Sequence, residues 1–175
     1  ARGELTGVGD PTVAFDRKGN AYASQMSLRI ADFNIGPLVG SALVASTQVS
    51  YSADGGINWQ ESIVASQGKI ETRASLPATG ERLRGEVEIS FIDKPWISVG
   101  PNPEKPDQDV LYITYTHFIT RWDLLWMDEL PVLRDVEEQS VIEVVSSEDG
   151  GLTWSRPTAV SPRVRTRGEE GLTRR

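Results

Sequence analysis

Five side chains that could bind a ligand are close together in the second half of this 175-residue sequence. They are His117, Arg121, Trp122, Asp123 and Trp126. Two tryptophans flanked by charged groups could stack on the faces of a sugar ring, because an aromatic face offers a large apolar surface beside a polar edge. The same tryptophans could instead form a small core that holds the segment in place, or a patch that contacts another subunit. The sequence alone favours these structural alternatives.

Composition excludes several other kinds of chemistry. The sequence has no cysteine and one histidine, so it predicts no disulfide, no thiolate nucleophile, no metal site and no cofactor. His117 is the only possible base for a serine-type triad. The net charge of -7 argues against a nucleic-acid partner. No apolar run approaches the ~20 residues that a membrane span requires.

An eight-residue motif that occurs twice indicates the elements that must position these side chains. Residues 52–59 and 147–154 share the pattern S-x-D-G-G-I/L-N/T-W. An Asp-Gly-Gly step between apolar runs predicts a hairpin turn, since glycine reaches positive φ without a Cβ clash. The preceding Ser and Asp can accept backbone N–H bonds inside such a turn. Because each copy follows a strand-like run, the two copies indicate a structural repeat.

Each motif belongs to a predicted series of four antiparallel strands, which would form one blade of a β-propeller. Alternating apolar residues predict strands at 10–16, 21–26, 43–52 and 59–65, and again at 93–99, 109–115, 141–147 and 154–160. The first repeat covers 1–66 and the second 93–162, with a connection at 67–92 that contains a short strand at 87–91. The basic tail, 163–175, is expected to be disordered or a severed linker. The whole is one domain or a fragment of a larger propeller.

Three long segments are expected to be loops on the face opposite the motif turns, namely 27–41, 66–92 and 117–139. A short helix is possible around 124–130. Because function gathers where a scaffold carries its elaborated loops, we predict that any site lies on this face.

Two aspartates form a further candidate pair. Asp10 and Asp93 each precede a strand that would be innermost in its blade, so both are expected near the mouth of a central channel. There the carboxylates could meet a ligand, or they could be solvated acids at a turn that leads into a strand. The second interpretation is favoured.

The repeated motif resembles the Asp-box, S-x-D-x-G-x-T-W, also called the bacterial neuraminidase repeat, of sialidase-like β-propellers. The second copy fits fully, whereas the first has Asn58 at the Thr position. In that family the box lies on the turn between the third and fourth strands of a blade, away from the active site. The resemblance gives a structural role to Ser52, Asp54, Gly56, Trp59, Ser147, Asp149, Gly151 and Trp154.

The implied fold is all-β, a partial propeller of sialidase-like type with about two four-stranded blades and long loops on one face. Since propellers typically close with 4–8 blades, further blades must come from elsewhere. They could belong to additional sequence, which we favour, or to other copies of the chain. The N-terminus, which has neither an initiator Met nor a signal-peptide core, suggests an excised piece of a longer chain or a cloning choice.

The resemblance also implies candidate catalytic residues. Sialidases use an arginine triad for the substrate carboxylate, a Tyr–Glu nucleophile pair and an Asp general acid. Arg29, in the segment Leu-Arg-Ile-Ala, partly matches the family's aromatic-Arg-Ile-Pro motif but lacks its aromatic and proline residues. Asp32 follows as a candidate acid. No Tyr–Glu pair can be placed from the sequence, so the catalytic set is incomplete and it is uncertain whether the chain is an enzyme.

The expected function is therefore part of an exo-sialidase-like glycoside hydrolase that acts on glycan termini, in an extracytoplasmic or secreted protein. One alternative is a non-catalytic propeller that binds a glycan or a protein through its long loops. Another is an assembly module that is completed by oligomerisation.

Overall fold

The chain folds into two antiparallel β-sheets, which confirms the all-β prediction. A computed structural model of the chain describes residues 5–36, 38–75, 84–127 and 130–167. Sheet one contains four strands in chain order: β1 (Leu5–Phe15), β2 (Ala21–Ile35), β3 (Leu38–Ser52) and β4 (Ile63–Gln67). Within the described ranges there is no helix that could cross a membrane.

Sheet two contains the remaining strands in the order β5-β6-β7-β8-β10, with β9 also paired to β8. They are β5 (Ile70–Ser75), β6 (Arg84–Pro101), β7 (Asp109–Met127), β8 (Leu130–Ser147), β9 (Thr158–Ala159) and β10 (Val164–Arg167). Over the residues that the structure describes, the two sheets do not close into a barrel or a propeller.

The series β1 to β4 and β6 to β9 are the same four-stranded meander with the same register. Most residue pairs on the ladders of the first meander have equivalent pairs on the ladders of the second. Examples are Val8–Ser27 and Ile92–His117, Val13–Ala23 and Ile97–Ile113, Thr47–Met26 and Ile142–Thr116, and Val49–Ile63 and Val144–Thr158. The repeat indicated by the sequence is therefore present in the backbone pairing.

The first strand of each meander carries the same β-bulge. The irregularity falls between Gly9 and Thr12 in β1 and between Asp93 and Trp96 in β6. Asp10 and Lys94 occupy the equivalent bulge positions with φ of 49° and 52°, a backbone region that non-glycine residues rarely adopt. From the sequence, Asp93 is expected to be equivalent to Asp10. The strand pairing instead makes Lys94 equivalent to Asp10 and Asp93 equivalent to Gly9. A proline follows each bulge residue, and the bulge accommodates a residue that cannot donate to the ladder.

The main core lies between the two sheets. Its buried residues are Tyr22, Ala45, Val49 and Ala65 from sheet one and Ile92, Ile97, Leu111, Ile113, Tyr115 and Val145 from sheet two. They alternate with outward-facing residues along each strand, as the period of two requires. Burial of each large apolar side chain contributes about 1.5–3 kcal/mol. Because the main core draws its side chains from both sheets, neither sheet has this stabilisation without the other.

The segments 27–41 and 117–139, which the sequence predicts as loops, are instead the upper parts of two long hairpins. β2 pairs with β3 without interruption up to Ile35 and Leu38, and β7 pairs with β8 up to Met127 and Leu130. The helix considered around 124–130 is therefore wrong over its described residues, which are strand. A second, smaller core of Ile35, Val87 and Trp126 stabilises these hairpin ends against each other.

The other differences concern strand limits. The expected connection at 66–92 contains the end of β4, β5 and the first half of β6, apart from residues 76–83, which lie outside the described residues. β6 joins the predicted strands 87–91 and 93–99 into one strand of 18 residues. The fourth strands are shorter than predicted. In the expected tail, Val164–Arg167 is strand β10 and pairs with β8, while 168–175 lie outside the described residues.

Candidate functional site

A polar cluster lies between the sheets at Tyr115, His117 and Glu143. Tyr115 and His117 are two positions apart on β7 and therefore point to the same side of sheet two. Glu143 is the direct partner of Tyr115 across the β7–β8 ladder. The β7–β8 hairpin, whose pairing is regular from Leu111 to Asp123, thus places three titratable side chains on the face that packs against sheet one.

Hydrogen bonds link this cluster to the opposite sheet. The Tyr115 hydroxyl donates to Glu143 Oε2 over 3.2 Å and lies 2.7 Å from Ser66 Oγ of β4. Since its single proton goes to the carboxylate, Ser66 is the donor in the second bond. His117 Nδ1 lies 3.1 Å from the same carboxylate oxygen and must carry a proton to donate to it. His117 Nε2 is buried and has no partner among the described residues.

Burial determines the ionisation of Tyr115, which is 2% exposed. Burial raises its pKa to about 12; the Ser66 hydroxyl partly opposes this shift, and the nearby Glu143 charge adds to it. The tyrosine is therefore neutral at physiological pH and acts as a hydrogen-bond donor to Glu143.

The cluster forms one wall of a pocket of about 220 Å³. The lining residues are Ser66, Gln67, Lys69, Glu71, Glu88, Ser90, Ile92, Tyr115, His117, Glu143 and Pro157. Hydroxyl, amide, carboxylate, ammonium and imidazole groups converge there, whereas Ile92 and Pro157 provide apolar surface. The volume lies below the roughly 300–1,000 Å³ of pockets for drug-sized ligands, so the pocket suits a small polar ligand. No grouping of side chains suited to hold a metal ion occurs among the described residues.

The five residues that the sequence groups as ligand-binding do not share one site. His117 lines the pocket, but Arg121 is bound to Glu86 over 2.9 Å and to Glu88 over 2.6 Å. Asp123 lies beside Arg121 in a separate shallow depression. Trp126 is buried in the second core, and Trp122 packs against it. The two tryptophans therefore take the structural role of a small core that holds the hairpin.

The candidates that the family resemblance suggests are also held by local partners. With the Gln67 amide oxygen facing Arg29, Arg29 Nη2 donates to it over 2.6 Å. Asp32 accepts from Ser41 Oγ over 2.7 Å and is exposed. The two residues lie on opposite faces of β2, since they are three positions apart on one strand.

Asp10 and Asp93 do meet, around a residue that the sequence did not single out. Lys94 Nζ lies 3.9 Å from Asp10 Oδ2 and 4.0 Å from Asp93 Oδ2. The three side chains converge where the bulges of β1 and β6 adjoin. Lys94 was missed because its equivalence with Asp10 follows from strand pairing and not from residue type.

The two motif turns lie between β3 and β4 and between β8 and β9, and they share one hydrogen-bond scheme. In the second turn Asp149 accepts from Ser147 Oγ over 2.7 Å, from Thr153 N over 2.9 Å and from Thr153 Oγ1 over 2.5 Å. In the first turn Asp54 accepts in the same way from Ser52 Oγ over 2.7 Å and from Asn58 N over 2.8 Å. Asn58 Nδ2 donates to Asp54 over 2.6 Å and replaces the threonine hydroxyl.

The remaining motif residues complete these turns. Gly56 and Gly151 have φ of 100° and 91°, and their N–H groups donate to Ser52 and Ser147 over 2.8 Å each. Trp154 Nε1 donates to Gly151 O over 3.1 Å, and the indole packs against the main core. Trp59 lies over Gly56 and is more exposed.

A larger cavity of about 390 Å³ lies at the end of the molecule that carries these turns. It separates the turn after β1 from the second motif. Its most prominent cation, Arg17, is already bound to Asp109, with Nε to Oδ1 at 2.8 Å, and donates to Pro106 O over 2.8 Å. These bonds tie the two sheets together and pair the charge of this arginine with the Asp109 carboxylate.

No family model, no curated protein and no solved structure is significantly similar to this chain.

Proposed function

We propose that the chain forms two neighbouring blades of a sialidase-like Asp-box β-propeller, and that it binds a terminal sugar of a glycan in the pocket of Tyr115, His117 and Glu143. The binding proposal is carried by one observation, the hydrogen-bonded Tyr115–Glu143–His117 cluster at a small polar pocket.

The propeller is supported by the way in which the sheets stack. Sheet one buries Tyr22 and Val49 against sheet two. Their equivalents in sheet two, Tyr112 and Val144, lie on its opposite face, which is turned away from sheet one. Two sheets that buried equivalent faces would complete each other. In the main core the two sheets bury non-equivalent faces, so that outside the second core one face of each sheet stays free, which is the arrangement of successive blades in a propeller.

The motif turns support the same family. Both lie after the third strand of a meander, as the Asp-box does in sialidase-like blades. Both use the Asp carboxylate to bind the backbone and the side chain four positions later.

The geometry favours binding over hydrolysis at this pocket. Glycosidic cleavage by a tyrosine requires that its oxygen reach the anomeric carbon, but the Tyr115 hydroxyl is enclosed by Ser66 and Glu143. A pKa near 12 also keeps it protonated. A sugar ring presents several hydroxyl donors and acceptors, and His117 Nε2, which has no partner among the described residues, would form a hydrogen bond with one of these hydroxyls.

Hydrolysis by a complete propeller is the second candidate function. It is favoured by the convergence of Asp10 and Asp93 on the first strands of the two meanders, which would line the central channel. Paired carboxylates are what glycosidic cleavage requires. An exo-sialidase-like hydrolase of this kind would act on glycan termini outside the cytoplasm.

The single histidine provides a direct test of binding. We expect the His117 imidazole resonances to shift in an NMR titration with one member of a monosaccharide panel that includes N-acetylneuraminic acid and neutral hexoses. Glu143→Gln should weaken this binding at least tenfold, because a charge-assisted hydrogen bond to the imidazole is lost. Glu138→Gln is the matched control, since Glu138 lies on the opposite face of β8.

Two results would contradict the proposal. The first is the absence of a His117 shift with every sugar up to 50 mM, on the order of the weakest useful affinities. The second is turnover of a fluorogenic sialoside by the chain that survives Tyr115→Phe and is abolished by Asp10→Asn or Asp93→Asn. That result would assign the hydrolase function instead.

A further inference from the structure

Outside the second core, each sheet has one apolar face that the other sheet does not cover. We call Val8, Val13 and Phe15 the free face of sheet one; they are 58%, 55% and 57% exposed. We call Trp96, Phe118 and Ile142 the free face of sheet two; they are 66%, 42% and 45% exposed. Surface apolar residues are common singly, but contiguous sets mark interaction sites.

The free face of sheet one is the counterpart of a surface that is buried inside the molecule. By register, Val8, Val13 and Phe15 are equivalent to Ile92, Ile97 and Val99 of sheet two. Ile92 and Ile97 belong to the main core, and Val99 packs against it. The free face of sheet one therefore has the position and the polarity of the sheet-two half of the internal interface.

The free face of sheet two is the counterpart of the other half. Trp96, Phe118 and Ile142 are equivalent to Thr12, Leu28 and Thr47 of sheet one. Thr12 Oγ1 accepts from Ile97 N across the internal interface over 3.2 Å, Leu28 packs against the main core, and Thr47 is fully buried. One molecule thus carries both halves of a second copy of its own internal interface.

Side-chain sizes favour contact between these two free faces. The free face of sheet two is larger than its internal counterpart, since Trp96 replaces Thr12 and Ile142 replaces Thr47. The free face of sheet one offers the matching space, because Ala23, the ladder partner of Val13, stands where sheet two has Ile113. When the larger side chains of one free face meet the smaller side chains of the other, the distance between the two sheets stays close to that of the internal interface.

We propose that a second copy of this chain covers the free face of sheet two with its sheet one, in a head-to-tail contact that repeats the internal interface. The inference rests on the proposed propeller architecture. By equivalence with the contact between Thr12 and Ile97, Trp96 of one copy lies against Val13 of the next. A head-to-tail contact generates a ring when its rotation closes, and two to four copies give the roughly 4–8 blades of known propellers.

The solution mass of the full chain tests this assembly. Light scattering and sedimentation velocity should give a discrete species whose mass is a small whole multiple of 19.2 kDa. Val13→Glu and Trp96→Glu should each give a monomer, because each places a charge in the contact. An equimolar mixture of the two variants should give a dimer, because one retains an intact free face of sheet two and the other an intact free face of sheet one. Ile57→Glu, at the first motif turn and outside both faces, is the control and should assemble like the unchanged chain.

Three results would overturn the proposal. One is a monomer of the unchanged chain at every concentration up to several hundred micromolar, on the order of a weak association. Another is assembly of either variant, and the third is a variant mixture that does not dimerise although the unchanged chain assembles. Circular dichroism of each variant verifies the fold. The His117 titration measures sugar binding in a monomer as well as in a ring, so failure of the assembly and failure of the proposed function are distinguishable.

Discussion

At the scale of single residues, the motif carboxylates act as turn-forming groups. Asp149 lies at the surface, yet its oxygens accept four hydrogen bonds from Ser147, Leu152 and Thr153. Partial burial raises the pKa of Asp149, but the bonds from Thr153 and Ser147 outweigh it and lower the pKa to about 2. The carboxylate is thus held in its charged form by the turn that it organises.

We expect Asp149→Ala to lower the free energy of unfolding by about 2 kcal/mol, since charge-assisted hydrogen bonds to the backbone are lost. Glu148→Ala, at the exposed neighbouring position, should change it by less than about 0.5 kcal/mol. Urea denaturation at pH 7 measures both. Equal effects of the two substitutions would contradict the assigned role.

The same carboxylate predicts a pH dependence. A group whose pKa is lower in the folded state than in the unfolded state stabilises the fold above its unfolded pKa, near 3.8, and loses that contribution as the pH falls. We expect the melting temperature to decrease between pH 4 and pH 2, and the decrease to be smaller in Asp149→Asn. Identical pH profiles for the two proteins would show that this carboxylate is not responsible.

The bond between Tyr115 and Ser66 is the polar contact that joins the two sheets within the pocket. Tyr115→Phe leaves Ser66 Oγ and Glu143 without their common partner, which should cost about 1–2 kcal/mol. In a double-mutant cycle with Ser66→Ala the two costs should be less than additive, because the residues are in direct contact. Tyr112→Phe, on the opposite face of β7, serves as the control, and additive costs would refute direct coupling.

At the scale of elements, the docking of the two long hairpins depends on a glycine. A Cβ at Gly85 would lie 2.6 Å from Ile35 Cδ1 and from Trp126 Cζ3. Gly85→Ala should therefore separate the hairpin ends and cost about 1–3 kcal/mol through overpacking. Gly100→Ala is a matched control in the same strand, because nothing lies within 4 Å of its added Cβ. Hydrogen exchange of the upper parts of β2 and β3 should increase in the first variant and remain unchanged in the second.

The halves of the strands that lie near the motif turns could be predicted from the sequence, but the halves that form the far ends of the long hairpins could not. β2 buries Tyr22 near its start on one face, and it packs Phe33 and Ile35 near its end on the other face. A single period of two therefore does not run through the strand, and the segment resembles an irregular loop. The change of face follows from the second core, whose partners β6 and β7 are distant in sequence.

The candidate site could not be predicted from the sequence for a related reason. Glu143 stands in an apolar run of β8, where an isolated acid indicates an exposed position. Only the register of the β7–β8 ladder places it opposite Tyr115, and that register depends on a hairpin that the sequence presents as a loop. His117 was predicted as a ligand residue from its neighbours on β7, but its closest partner in the structure is Glu143.

At the scale of the whole molecule, the two sheets should unfold as one unit. The main core draws its residues from both sheets, and bonds such as Arg17 to Asp109 and Ile97 to Thr12 connect them at separate points. Small domains with one shared core usually unfold in a single cooperative transition. A destabilising substitution on the core face of sheet two should therefore also lower the stability of the strands of sheet one.

Ile113 is the residue at which to test this coupling, because it is fully buried at the centre of the main core on β7. Ile113→Ala should lower the free energy of unfolding by about 2–5 kcal/mol. Hydrogen exchange of β2 and β3 in sheet one should accelerate by the same factor as that of β7, since all exchange through the same global opening. Leu152→Ala, at the exposed second motif turn, should leave both rates within about twofold of the unchanged chain. If β7 exchanged faster while β2 and β3 kept their protection, each meander would be stable alone, and the interface between unlike faces would be a contact between independent units and not the core of one domain.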